Sequence, residues 1–263
     1  MTKVLGIVGS PRRERGLSHQ VVSGVLEGAR AAGAETETLY LIDDEPEYCI
    51  HCGHGCFATG DCLQEEGATA RSRRLDAADA LVVCAPVYCW QPNGLTVALF
   101  DKARLATDSW HRGRQHGRPA LGIAVAGGTG TGVFPALQSI YAWLCLWKYR
   151  SLDPLPVTRF NLDRVLAEAA SLGRTLAARA PQPFDGVGAQ MLAYDRLPYM
   201  DYGRVDEFRW LAEQIAAGLE ARGENAETVR QLLDQANACA ASGDQEGTAQ
   251  RTVEAYQAGR EAW

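Results

Sequence analysis

The sequence predicts an α/β protein, doubly wound on a five-stranded parallel sheet and carrying a C-terminal α-helical extension. Three observations carry that expectation. Strand-like and helix-like segments alternate strictly up to about residue 180. Several of the strand segments are apolar without a break, as strands covered on both faces are. The charge then changes character: residues 187–263 hold 7 arginines, no lysine and 13 acidic residues, and they supply the whole net charge of −6. The division predicts a ligand-binding domain over 1–186 and an acidic helical unit over 187–263.

In order along the chain, strands are predicted at 3–8, 36–41, 80–87, 121–126 and roughly 149–158. The helix at 17–31 has Val21, Val22, Val25, Leu26 and Ala29 on one side, and 94–107 and 133–149 show similar stripes. Asn161 is placed to cap a helix reaching residue 180. Helical runs follow at 205–222, 226–241 and 245–261, broken by Gly223-Glu224-Asn225 and Ser242-Gly243-Asp244. Phe208, Leu211, Ile215 and Leu219 share one face, as do Val229, Leu232, Leu233 and Ala236. These faces need a partner, so the extension is expected to pack on the core or on a neighbouring subunit of a homo-oligomer, a dimer or tetramer. The linker at 182–204, with Met191, Tyr194, Tyr199, Met200 and Tyr202, straps the surface of the core or shapes a ligand pocket.

Composition bounds the function. A chain of 263 residues with 46% hydrophobic content can bury a substantial core. No apolar run approaches the roughly 20 residues that span a bilayer, and the N-terminus enters Lys3-Val4-Leu5-Gly6-Ile7-Val8 without a basic, apolar and cleavable leader, which predicts a cytoplasmic protein. The acidic extension and the lack of a large basic surface argue against nucleic acid or an anionic membrane as partner.

Ligands of doubly wound sheets sit beyond the carboxyl ends of the strands, where strand order reverses. Three loops there are unusual. Gly9-Ser10-Pro11-Arg12 and the following Arg13, Arg15, Gly16, Leu17 and Ser18 bring hydroxyls, a guanidinium and backbone N–H groups to a helix N-terminus, a cradle for phosphate. A turn capped by Ser18 is the plainer alternative. Pro86-Val87-Tyr88-Cys89-Trp90-Gln91 suits a flat heterocycle with polar edges, unless its aromatic pair only caps the sheet. Gly127-Gly128-Thr129-Gly130-Thr131-Gly132 lets backbone approach a ligand closely. Each loop alone is weak evidence, and three on one sheet edge are strong.

The Gly-Ser-Pro-Arg loop, the Ala85-Pro86-Val87-Tyr88 segment and the Gly127-Gly128 turn resemble the NADPH-dependent FMN reductase family, whose fold is flavodoxin-like. With the cysteines at 49–62, the chain resembles its iron-sulfur flavoprotein branch. The resemblance covers about residues 3–180. It implies that Ser10, Arg12, Leu17 and Ser18 hold the FMN phosphate, that Pro86, Val87, Tyr88, Cys89, Trp90 and Gln91 border the isoalloxazine, and that Gly127, Gly128 and Thr129 approach its other edge. Where that family usually has Gly-Asn-Thr, this chain has Gly16-Leu17-Ser18, so Arg13 or Arg15 is expected to replace the missing amide.

Cys49, Cys52, Cys56 and Cys62 form a C-x2-C-x3-C-x5-C run with Gly53 and Gly55 between them. Four thiolates on one glycine-bearing loop suit a [4Fe-4S] cluster. The middle gap is one residue longer than the family's usual spacing. Zinc, held by four thiolates or by a mixture with His51 or His54, is the alternative, and free or redox-active thiols are a third. Cys84, Cys145 and Cys239 read as packing residues, and Cys89 as structural unless it meets cofactor or substrate. His111, Arg112, Arg114, His116 and Arg118 read as a solvated basic loop or a nicotinamide phosphate site across a dimer.

Together these features lead to an FMN-dependent oxidoreductase passing electrons between flavin, cluster and a partner, which is NAD(P)H or a redox protein on one side and a small-molecule acceptor on the other. A non-catalytic electron carrier, and an NAD(P)H-dependent flavin or quinone reductase with a structural zinc, are the competing expectations.

Overall fold

A computed structural model describes residues 1–104 and 116–263. In chain order, β1 (Lys3–Val8) leads into α1 (Leu17–Ala31), β2 (Glu35–Tyr40), a single helical turn α2 (Cys56–Thr59), α3 (Glu66–Asp76), β3 (Ala80–Tyr88), β4 (Gln91–Pro92) and α4 (Gly94–Lys102). There follow β5 (Pro119–Ala126), α5 (Val133–Leu146), β6 (Arg150–Ser151), β7 (Leu155–Thr158), α6 (Leu162–Ala178) and α7 (Gly186–Asp195). The chain closes with α8 (Arg204–Ala221), α9 (Glu227–Ser242) and α10 (Gln245–Ala262).

The strands pair in the order β2-β1-β3-β5, with β6 and β7 both on the outer side of β5. These pairings are parallel, and only β4 runs antiparallel, folding back on β3. The expected fifth strand is therefore present in two pieces. Ser151 lies opposite Ala120 and Leu155 opposite Ile123, so the outer strand carries one extra residue in this stretch. Pro154 sits inside it and has no N–H to give to the ladder, which is why pairing stops and restarts.

Alternate residues of each strand face opposite layers, as the pleat requires. Val4, Val8, Val82, Cys84, Leu121 and Ile123 join α1 and α6 in one core. Leu5, Ile7, Leu81, Val83 and Ala85 join α3, α4 and α5 in the other. Helices α1 and α6 approach at Gly173, where a Cβ would lie 1.8 Å from the Val25 carbonyl oxygen. The extension is part of the second core: Trp210, Leu211, Ile215 and Leu219 of α8, Val229 and Leu233 of α9, and Tyr256 of α10 are buried in it. Among the described residues no helix is long and apolar enough to cross a membrane.

Several elements differ from expectation for identifiable reasons. Helix α3 was not anticipated, because its buried face holds Arg71 in place of an apolar stripe, paired with Asp44 and Glu65. The segment predicted to strap the core contains α7 and then Tyr199, which stacks on Phe134 with ring centroids 4.7 Å apart. Helix α4 ends at Lys102, and His111, Arg112 and Arg114 lie outside the described residues. Of the basic stretch that is described, Arg118 is no free surface cation, since its Nη1 donates to the carbonyls of Asp76 and Ala78 at 2.6 and 3.0 Å.

Candidate functional site

The loop after β1 is held from beneath. Gly9 N–H donates to the Cys84 carbonyl at 2.8 Å, and the Gly9 carbonyl accepts from Asn93 Nδ2 at 2.8 Å. Thr96 Oγ1 in turn donates to Asn93 Oδ1 at 2.7 Å, and Asn93 and Thr96 are both buried. Neither was singled out from sequence, although an Asn directly before a helix with Thr three residues on is a local N-terminus signal. Ser10 is buried, and its Oγ accepts from Arg12 N–H at 3.3 Å. Arg12 is exposed beside it. Gly16 precedes α1 in extended conformation, and no side chain caps the start of the helix.

Two details refine the cradle. Arg13, in a left-handed conformation with φ 49°, pairs with Asp43 after β2, so its charge is already engaged. Ser18 is buried with its hydroxyl on the Cys84 thiol, so that hydroxyl is engaged with the core. Burial pushes the Cys84 thiol up to about 12, with the Ser18 contact opposing. That thiol is a packing group.

The loop after β3 is a tight hairpin. Val87 pairs with Pro92 and Tyr88 with Gln91, leaving Cys89 (φ 50°) and Trp90 (φ 66°) at the tip. Two successive non-glycine residues at positive φ are strained, and such strain persists only where surroundings impose it. Here the Trp90 ring lies 6.4 Å from that of Phe208, and the Arg204 guanidinium stands 5.8 Å from the Trp90 ring. Both partners come from α8.

The glycine turn after β5 completes the group. Val87, Cys89, Trp90 and the turn from Ala126 to Thr131 line one cleft of about 300 Å³. Leu17 reaches the turn from the first loop, since a Cβ on Gly127 would lie 3.3 Å from Leu17 Cδ1. Gly132 has φ 87°, and a Cβ there would stand 2.6 Å from Trp90 Cα, so only glycine fits against the hairpin.

The extension reaches this turn as well. Glu207 of α8 is fully buried; its Oε2 accepts from Gly132 N–H at 3.0 Å and its Oε1 from Phe134 N–H at 2.9 Å. Burial raises the Glu207 carboxyl above its ordinary value, while the bonds from the start of α5 pull it back. Tyr256 of α10 donates to the Thr129 carbonyl at 2.8 Å. Sequence reasoning missed both. The one available signal for Glu207 was an acidic residue in helical register with Leu211 and Ile215.

The cysteine loop forms a second site. Cys49, Cys52, Cys56 and Cys62 all line one pocket of about 210 Å³, together with His51, His54, Lys102 and Arg104. Gly53 and Gly55 turn the backbone at φ 75° and 73°. Arg104 Nε donates to Cys56 Sγ at 3.2 Å, and Cys62 N–H donates to Thr69 Oγ1 at 2.9 Å. Beneath lies a buried ion network in which Lys102 Nζ stands 2.6 Å from Glu65, which also pairs with Arg71. Among the described residues no three His, Cys, Asp or Glu side chains stand together closely enough to hold a metal ion. The donor set nonetheless fits a four-thiolate cluster, whose net negative charge the neighbouring Lys102 and Arg104 would offset.

A family model described as NADPH-dependent FMN reductase matches residues 2–151. An iron-sulfur flavoprotein from Methanosarcina thermophila is 28% identical over 142 residues, which cover 54% of this chain and 72% of that protein. Among solved structures, an FMN-dependent NADH-azoreductase from Bacillus anthracis strain Ames Ancestor, in complex with FMN, superposes with TM-score 0.52 at 17% identity over 68% of this chain and 99% of the other. An NAD(P)H:quinone oxidoreductase from Methanothermobacter marburgensis gives 0.52 at 18% identity, over 66% and 98%. These two likenesses agree with the strand order in assigning a flavodoxin-like α/β fold.

Proposed function

The chain belongs to the NADPH-dependent FMN reductase family and is an FMN-dependent oxidoreductase, and from that premise we propose that it works as an iron-sulfur flavoprotein, passing electrons between FMN, a [4Fe-4S] cluster and an outside partner. Ser10, Arg12 and the backbone N–H groups of Leu17 and Ser18 hold the FMN phosphate at the uncapped start of α1. Pro86 to Gln91 border one edge of the isoalloxazine, with Trp90 covering it, and the backbone of Gly127, Gly128 and Thr129 meets the other. FMN supplies hydride or single-electron exchange and the cluster single-electron exchange, which is what joins a two-electron donor such as NAD(P)H to a one-electron partner. The protein's own part is to bind, orient and exclude water.

The observation that carries the reading is that the four cysteines line one pocket together with two cations. A further link ties that loop to the phosphate loop, since Arg13 pairs with Asp43 in the segment leading into the cysteines. Cys49, Cys52, Cys56 and Cys62 ligate the cluster, and Arg104 donates to a ligand sulfur, a contact that orients the ligand and draws off charge. Anaerobically purified protein should contain FMN with about four iron and four sulfide per chain. Cys56→Ser should lose the iron and keep the flavin, because the phosphate loop does not share that residue. Stoichiometric zinc without iron would overturn the cluster and favour a reductase with a structural metal.

A further inference from the structure

The family model's match ends at residue 151, yet two residues well beyond it grip the turn on which we place the flavin. The turn has little rigidity of its own, because Gly127, Gly128, Gly130 and Gly132 leave its backbone with the conformational freedom that folding must remove. Within it the Thr129 and Thr131 hydroxyls bond to one another at 2.8 Å, and the rest of its order is supplied from outside. At its beginning the Thr129 carbonyl accepts from Tyr256 of α10, and at its end the Gly132 and Phe134 N–H groups donate to Glu207 of α8. Both anchors are buried residues, and the two Glu207 bonds are fully enclosed, so its carboxylate has no water to fall back on when the turn moves away. Phe208 links them, its ring 6.4 Å from that of Trp90 and 4.9 Å from that of Tyr256.

We propose that Glu207 and Tyr256 are positioning residues for the flavin, so that FMN binding and docking of the C-terminal extension form one coupled equilibrium. The proposal rests on the reading that FMN lies against the 127–132 turn. Its physical content is reciprocal: if the docked extension orders the turn for FMN, bound FMN must hold the extension down by the same factor. The extension is thereby a wall of the cofactor site and a reporter of its occupancy. A helical unit that only filled out the core would have no such coupling.

The test uses the full-length protein, with FMN affinity read from quenching of flavin fluorescence and extension docking from amide hydrogen exchange over 204–262. Tyr256→Phe removes one hydroxyl and keeps the ring against Phe208. It should weaken FMN binding about three- to tenfold, the equivalent of one hydrogen bond. Glu207→Gln keeps one acceptor oxygen and should weaken FMN less than Glu207→Ala. In the unsubstituted protein FMN should slow exchange in α8 and α10, and the slowing should shrink in Tyr256→Phe. If Tyr256→Phe lowers the thermal midpoint of the flavin-free protein but leaves FMN affinity unchanged, or if FMN leaves exchange in the extension unchanged, the coupling is overturned. Unsubstituted protein that takes up no FMN would instead overturn the placing of flavin on this turn, and the coupling with it.

Discussion

Arg12 is an exposed cation of the proposed phosphate cradle, in which Ser10 is buried and Arg13 is committed to Asp43. Arg12→Ala should therefore weaken FMN retention by roughly 1.5–3 kcal/mol, the range for a hydrogen bond to a charged group, with no compensation from its neighbour. Equilibrium dialysis of FMN against the variant checks this, and unchanged affinity would remove Arg12 from the cradle. Local chemistry made the three loops legible in sequence, since glycine, proline, hydroxyl and cysteine patterns announce themselves within a few residues. Glu207 and Tyr256 were not legible. Their partners lie 75 and 127 residues away, and a contact across such distances leaves no periodic trace. A different residue contributes to acid behaviour. His116 Nδ1 accepts from Arg118 N–H at 2.9 Å, its ring meets the edge of Tyr149, and burial, reinforced by Arg118, lowers it to about 4. The unfolded chain takes up this proton near pH 6.5 and the folded chain refuses it until about pH 4, so stability should fall as pH drops through that window, by up to roughly 3 kcal/mol. His116→Asn keeps an acceptor without the titration, and urea unfolding at pH 7 and 4.5 should show the smaller acid loss.

At the scale of elements, periodicity located helices and strands wherever one face was apolar. Helix α1 and strand β1 fall on the expected residues, and the extension helices deviate by no more than one residue at either end. It failed for α3, whose buried face mixes Arg71 and Ser72 with Ala68 and Leu75, and for the fifth strand, which Pro154 divides. Packing between elements was also beyond it. The closeness of α1 and α6 depends on Gly173, which from sequence alone reads as a poor helix residue. Gly173→Ala should gain about 1 kcal/mol of helix propensity and still destabilise, because the added Cβ falls 1.8 Å from the Val25 carbonyl oxygen and the helices must separate. A net loss of about 1–3 kcal/mol, seen as a lower midpoint in urea, is expected; a more stable variant would mean that the two helices part freely.

Taken whole, the molecule closes a familiar sheet with an uncommon cover. Phe134, at the start of α5, is enclosed by Tyr199, Tyr202 and Trp210, with ring centroids at 4.7, 5.3 and 5.2 Å. A chain ending after residue 180 would bare that ring, at roughly 1.5–3 kcal/mol for this side chain alone, along with the rest of the face now covered by α8. Such a chain should lose solubility and release FMN during gel filtration. If it stays soluble with unchanged assembly mass and full flavin content, the cover is dispensable.

The separation between the turn and its anchors also has a consequence in the order of synthesis. A ribosome adding roughly 5–20 residues per second completes the turn and the start of α5 some 4–15 seconds before Glu207 is even joined to the chain, and Tyr256 comes later still. Through that interval the nascent protein carries its sheet and the glycine turn but not the two side chains that brace the turn. Under the proposed coupling the nascent chain holds FMN more weakly than the finished one, and a pause in translation between the two regions would lengthen that weaker-binding stage without altering the finished fold.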